Sequence, residues 1–461
     1  MSLDSKGDAC VAEQDAAMRD VLATRRAFWY SECNRFQKNR QQQASGGNMH
    51  KRIIRSVLPA MILAASVGTA SAQQRAEVIH WWTSGGESAA LRVFADQFNK
   101  AGGQWVDTAI AGGANARTAA INRTVGGDPP TAMQFNTGKQ FDDLVEGNLL
   151  ADVDALAAAQ NWKSILPESI IAAVSRNGKF YAVPVNIHGQ NWVWYNKAVL
   201  DQVGAAEPKN WDEAIVILEK VKAAGLVPLA FSGQKNWERD LFNTVMLDKA
   251  GPSVWAGIYT QRAESAARSP EFRLAAETFQ KLKNYVDAGS PGRNWNDATA
   301  MVIQGKAAMQ VMGDWAKGEF AAANKVAGKD FGCALFGSKG GGYVIGGDVF
   351  AFPKQKDPSR TGAQMLLAKT LLEPETQIQF ALKKGSIPVR NDLDTSSLDI
   401  CAQKAAKLMQ DKTQQVASVQ MLAPPAMNGA MEDLISQFWN GPGMSTDQFI
   451  DKVVGVLKQS Y

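Results

Sequence analysis

Two adjacent tryptophans, Trp81 and Trp82, stand before a glycine pair and a carboxylate in the stretch VIHWWTSGGES, Val78 to Ser88. Neighbouring side chains on a strand point to opposite faces, so one surface cannot bury both indoles. A strand that ends here runs into Thr83-Ser84-Gly85-Gly86-Glu87, where Ser84 and Glu87 have capping-box spacing and the glycines permit a tight turn. One indole then packs beneath the helix. The other faces the crevice beyond the strand ends, the usual ligand position in open α/β sheets, with Glu87 beside it as an acceptor. A glycine turn before a helix also suits phosphate, but two indoles and a carboxylate suit an anion badly. A neutral, hydroxyl-rich ring fits better: an indole covers its C–H face and a carboxylate takes paired hydroxyl donors. The plain alternative is two structural tryptophans at a sheet edge.

The elements that must position these residues follow from periodicity. Glu77 to Trp82 reads as a strand, and Ala89 to Phe98 as a helix with Leu91, Phe94, Ala95 and Phe98 on one face. Further strands are expected at Gln104 to Ile110, Phe180 to Val185, Trp192 to Tyr195, Val227 to Phe231, Ala307 to Met312 and Tyr343 to Phe352. Helices such as Trp211 to Ala224 and Arg273 to Ala288 separate them. That alternation predicts an α/β fold with mainly parallel sheet. Residues 73–461 exceed the roughly 250–300 residues at which one core stops growing, so two domains are expected.

Met49 to Ala72, MHKRIIRSVLPAMILAASVGTASA, reads as a cleaved export signal. It has a basic start (Lys51, Arg52, Arg55), an apolar run from Val57 to Val67, and Ala70-Ser71-Ala72 as the peptidase site. The apolar run is shorter than the roughly 20 residues of a span, and Pro59 interrupts it. Residues 1–48 precede this complete signal and read as an upstream extension from a mis-assigned start. The expected location is therefore the periplasm.

The chain's formal charge of +4 comes from this leader: residues 1–72 hold ten basic and six acidic side chains, leaving 39 of each sign. A neutral mature chain gives no reason to expect nucleic acid as a partner. Cys10 and Cys33 fall before the cleavage point, and Cys333 and Cys401 remain. An even pair in an oxidising compartment predicts one disulfide, with two separate buried thiols as the alternative. Only His80 and His188 are left as histidines, and no Cys-x-x-Cys pair occurs, so neither a zinc site nor any other cofactor is expected.

GDPPTAMQFN (Gly127 to Asn136), KFYAVPVNIHGQNWVWYNKAVL (Lys179 to Leu200), AMVIQGKAAMQVMGDWAKGEF (Ala300 to Phe320), GGDVFAFP (Gly346 to Pro353) and KKGSIPVRNDL (Lys383 to Leu393) follow VIHWWTSGGE in that order. With the export signal, this series resembles the extracytoplasmic solute-binding proteins of ABC importers, in the sugar-binding branch that includes maltose- and glucose-binding proteins, and within it the glucose-binding type. The resemblance covers residues 76–461. It implies a two-lobed periplasmic binding protein fold, with hinge strands and a ligand cleft between lobes. Carried onto this sequence, one lobe is 73–185 plus 349–388 and the other 186–347 plus 389–461, with crossings at Pro184-Val185-Asn186 and Gly346-Gly347-Asp348. The implied partners are a monosaccharide, the inner-membrane permease subunits and their cytoplasmic ATPase, with a chemoreceptor or sensor kinase compatible as a further one. The implied state is a monomer.

The resemblance also implies site residues. Trp81 and Trp82 match stacking indoles, Glu87 a hydroxyl acceptor and Lys139 a donor to sugar oxygens. His188 follows the crossing strand, Trp237 and Trp315 match indoles that close over the ring from the second lobe, and Asp348 and Lys384 complete the set. Core packing is the alternative for Trp237 and Trp315, and simple solvation for Lys139. Where glucose-type members carry a histidine-glycine pair, this chain has Asn428-Gly429. Asn428 both donates and accepts but cannot become a cation. Glucose or a related aldohexose is the first expectation, and another small sugar or a polyol the second. No G-x-S-x-G elbow, Walker loop or H-E-x-x-H is present, so no catalytic residue is expected. A periplasmic glycosidase built on Glu87 and Asp348 is the remaining enzyme reading.

Overall fold

The computed structural model describes residues 74–337 and 342–461. The segments expected to be an export signal, its cleavage point and an upstream extension lie outside these residues. The strands that build the sheets are β1 (Gln74–His80), β2 (Gly103–Ala109), β3 (Ala132–Asn136), β4 (Ala182–Pro184), β5 (His188–Gly189), β6 (Trp192–Asn196), β7 (Val227–Leu229), β8 (Ala307–Met312), β9 (Phe331–Leu335), β10 (Tyr343–Gly346), β11 (Asp348–Ala351) and β12 (Gln415–Ala417). The helices that bear on the site are α1 (Gly85–Lys100), α2 (Gly113–Val125), α3 (Lys235–Tyr259), α4 (Ala316–Ala322), α5 (Pro374–Lys384), α6 (Ile400–Leu408), α7 (Val419–Leu422) and α8 (Pro425–Asn440).

Two main sheets centre two lobes. The first has the order β2-β1-β3-β11-β4, the second β9-β6-β8-β7, and a small sheet β12-β10-β5 lies on the path between them. β1 runs parallel to β2 from Gln74↔Gly103 to His80↔Ala109, and parallel to β3 at Val78↔Ala132. Parallel pairing recurs between β7 and β8 and between β10 and β12, but the expectation of mainly parallel sheet does not hold elsewhere. β11 is antiparallel to β3 and β4, and β6 is antiparallel to β8 and β9. The cause is the crossing chain. β11 enters the first sheet from the other lobe, without the crossover helix that makes a parallel pair.

The chain passes from β4 through β5 to β6, and returns from β9 through β10 to β11. A third link is the bridge between Ile187 and Ile387. Two apolar clusters form, the first running from the first lobe into Trp192, Trp194 and Phe331 of the second sheet, the other within the second lobe. Trp82, Phe94, Phe350 and Phe380 lie in the first, and Phe242, Phe279, Phe438 and Phe449 in the second. Cys333 on β9 and Cys401 in the first turn of α6 form a disulfide, with their Cα atoms 6.1 Å apart. The bond ties a helix of the chain's last hundred residues to the edge strand of the second sheet.

Candidate functional site

The strand expected to reach Trp82 ends at His80. Beyond that point the backbone N–H groups turn to side chains: Trp81 N donates to Gln134 Oε1 at 3.0 Å and Trp82 N to His80 Nδ1 at 3.2 Å. The two indoles then part. Trp82 is 1% exposed, 5.4 Å from the Phe380 ring and edge-on to Phe350 at 5.9 Å. Trp81 stays half-buried, with the Arg117 guanidinium 5.6 Å over its ring.

The turn after them starts α1. Ser84 Oγ accepts from Glu87 N at 3.3 Å, and Ser84 N donates to Glu87 Oε2 at 3.4 Å, a capping box as expected from the spacing. The other carboxylate oxygen of Glu87 takes a bond from Lys384 Nζ at 3.1 Å. Lys384, at the end of α5, is 2% exposed, and its ammonium lies 5.4 Å from the Trp82 ring and 5.8 Å from Trp315. The bond from Lys384, itself held against two indoles, fixes the orientation of the Glu87 carboxylate.

Lobe meets lobe beside this pair. A Cβ on Gly86 would come within 2.6 Å of the Gly318 backbone, so glycine is needed at this approach. Gly385, with φ of 92°, ends α5 in the left-handed region beneath Asp314.

At the crossings, His188 Nδ1 lies 2.5 Å from Asp314 Oδ1 and Nε2 lies 2.5 Å from Asp348 Oδ2. Both ring nitrogens facing carboxylates means both carry hydrogens, so the ring is an imidazolium. Burial opposes that charge, but Asp314 and Asp348 outweigh it and lift the pKa to about 9. Asp348 also accepts from Asn186 Nδ2 at 3.0 Å, Gln134 Nε2 at 3.0 Å and Asn136 Nδ2 at 3.4 Å. Asp314 Oδ2 accepts from Gly189 N at 2.8 Å. His188 thus joins β11 of the first sheet to the loop after β8 of the second, with its polar atoms engaged inside the protein.

Trp315 stands edge-on to His188 at 5.1 Å and 5.9 Å from the Trp237 ring. Both indoles are half-buried, and both Nε1 atoms are buried without an acceptor in the protein. Lys139 opens the helical turn Lys139–Phe141; its carbonyl accepts from Asp142 N, and its half-buried side chain has no hydrogen-bonded partner among the described residues. Asn428 lies in the first turn of α8, where its Nδ2 donates to the carbonyls of Val419 and Ala423, each at 3.1 Å. Its donor capacity is spent on holding α7 to α8, while its buried Oδ1 has no partner.

The structure therefore groups Glu87, Lys384, Trp315, Trp237, His188 and Asp348 through successive contacts, with Trp81 linked to Asp348 through Gln134. Among the described residues Lys139 and Asn428 make no side-chain hydrogen bond or ion pair with this set; the turn of Lys139 packs against α7, to which Asn428 is bonded. Sequence reasoning missed Gln134, Asn186, Asp314 and Glu319, although all four lie inside stretches quoted for the resemblance. It also missed Arg117, which sits in a helix with no motif. Among the described residues no cluster of three or more His, Cys, Asp or Glu is arranged to hold a metal ion, and no helix is long and apolar enough to cross a membrane.

Residues 82–377 match the family described as bacterial extracellular solute-binding protein. A probable sugar-binding periplasmic protein of Brucella melitensis is 36% identical over 399 residues, spanning 85% of this chain and 94% of the relative. A protein of the same description from Rhizobium meliloti is 35% identical over 417 residues, spanning 89% and 99%. Among solved structures, a chitin oligosaccharide binding protein superposes with a TM-score of 0.72 at 17% identity, over 84% of this chain and 98% of its own. At that identity the likeness speaks for the fold alone. With its two sheets, its crossing strands and these matches, the chain belongs to the bacterial extracellular solute-binding protein family.

Proposed function

We propose that this chain is the periplasmic substrate-binding component of a carbohydrate ABC importer, which encloses one monosaccharide between lobes 73–185 with 349–388 and 186–347 with 389–461. It then delivers the sugar to the inner-membrane permease and its cytoplasmic ATPase. An aldohexose such as glucose is the first choice, with another small sugar or a polyol as the alternative. The observation that carries this reading is the aromatic wall. Trp81 is left half-open while its neighbour fills the core, and Trp237 and Trp315 hold indole N–H groups that no protein atom accepts. Such donors beside apolar ring faces suit a ligand that is flat and C–H-rich on one side and oxygen-rich at its edge.

Glu87 and Lys384 supply an acceptor and a donor held in fixed geometry, and Lys139 is a free donor from the first lobe. His188 and Asp348 act behind them, tying the lobes at the crossing. A glycosidase would need a proton donor and a second free carboxylate. Glu87 bonded to Lys384 and Asp348 bonded to His188 suit binding rather than bond cleavage. The periplasmic names of the two relatives support export; cleavage near Ala72 and a monomeric mature protein belong to the same proposal.

The test is a thermal-shift screen of the mature chain against monosaccharides, disaccharides, polyols and amino acids. A monosaccharide that binds should raise Tm by mass action. A shift with amino acids alone would refute the sugar reading, and turnover of a glycoside panel would refute the binding-only one.

A further inference from the structure

Arg117 lies one turn into α2 on the first lobe, with its guanidinium over Trp81. A Cβ on Gly113, at the start of the same helix, would stand 3.5 Å from the Trp81 ring and 3.0 Å from Arg117 Nη1. The N-terminal turn of α2 and the guanidinium therefore close over one side of the indole together.

Across from them, on the second lobe, Arg239 donates to Asp240 and to Glu432 Oε2, the latter at 2.7 Å. Burial lowers the pKa of Arg117, Glu432 opposes that shift, and Arg239 adds to it. Arg117 thus feels the charges of the opposite lobe, yet it has no hydrogen bond or ion pair to any described residue. A guanidinium carries five N–H donors in a rigid fork, and this one is half-buried with no protein acceptor among the described residues. The indole face covers one side of it. The in-plane donors remain open.

We propose that Arg117 is the end wall of the ligand site, donating from its fork to oxygens of one enclosed sugar ring and barring a second ring from continuing past Trp81. The inference rests on the sugar-binding reading and narrows it to ligand length. A glycosidic chain that extended along the indole toward α2 would have to displace the guanidinium from its stacked position. A single ring leaves it in place and supplies the missing acceptors. Glu432 of the second lobe already acts on Arg117 in this structure, so both lobes contribute charge to the same rim.

The test is calorimetry of wild-type, Arg117→Ala and Arg117→Lys mature protein with D-glucose, maltose and maltotriose. Wild type is expected to bind glucose and to give no heat with maltotriose. Arg117→Ala is expected to bind glucose roughly tenfold or more weakly, from lost charged hydrogen bonds, and to gain measurable maltotriose binding. Arg117→Lys keeps the charge without the fork. It should bind glucose with intermediate affinity, and it carries the test if the alanine variant does not fold. Unchanged glucose affinity together with continued exclusion of maltotriose in the variants would overturn the proposal. A wild type that binds the longer sugars as well as glucose, or instead of it, sinks the end wall and leaves sugar binding standing. A wild type that binds no sugar of any length sinks both.

Discussion

Glu319 Oε1 accepts a hydrogen bond from the backbone N–H of Gly86 at 2.8 Å, across 233 positions of sequence. The acceptor sits on α4 of the second lobe, and the donor is at the N-terminus of α1 in the first. A carboxylate is favoured at that helix end by the unpaired N–H groups and the dipole. The next residue along is Glu87. One helix terminus therefore orients a proposed ligand contact and receives the opposite lobe, so the two are mechanically linked.

From that link, Glu319→Ala should weaken binding of every accepted sugar by the same factor, without changing their order. Loss of one charged hydrogen bond, about 1.5 to 3 kcal/mol, sets an upper range of roughly ten- to a hundredfold in Kd. Calorimetry over three or more ligands checks this. A change confined to one ligand would mean that Glu319 contacts it instead.

The His188 imidazolium gives stability a pH dependence. Its folded pKa, about 9, is above the usual value of 6.5. Its contribution is therefore fully present below about pH 6.5 and is lost as pH rises through about 9. The span corresponds to about 3 kcal/mol. Urea midpoints between pH 6.5 and 9.5 should fall for wild type and stay flatter for His188→Gln, which starts less stable because Asp314 and Asp348 then face each other unpaired. Equal slopes in the two proteins would contradict the assignment.

Removal of the disulfide by Cys401→Ser opens a link across 68 residues and should cost about 2 to 5 kcal/mol. Denaturant melts measure the loss. Thiol titration of the unfolded, unreduced mature chain should find no free thiol.

Trp82→Ala should behave as a core mutation, losing about 3 to 5 kcal/mol of stability, because its ring is enclosed by Phe94, Phe350 and Phe380. A variant that melts like wild type would contradict that placement.

Local signals were legible where one segment decides its own state. Ala307–Met312, an apolar run between glycines, was read to both ends. The capping box at Ser84 and the disulfide at Cys333 and Cys401 were equally readable. What depends on distant partners was not. The strand ends at His80 rather than Trp82 because Gln134 takes the Trp81 N–H, and no pattern in VIHWWTSGGES announces a glutamine 53 residues on. Tyr343 to Phe352 reads as one strand but divides at Gly347, where the chain changes sheets. The same locality limits the site. Residue types suggested Glu87 and one of the two indoles as ligand-facing without saying which, and the engagement of His188 with Asp314 and Asp348 is visible only once the crossings bring these partners together.

The account turns on Trp81, the indole left outside the core. The most direct measurement is calorimetric titration of wild-type and Trp81→Ala mature protein with D-glucose, with the melting temperature of each unliganded protein recorded beside it. Loss of a stacking surface worth about 1 to 3 kcal/mol predicts roughly one to two decades of weaker binding, with unliganded stability close to wild type. Wild-type affinity in Trp81→Ala would contradict the account and leave both tryptophans as packing.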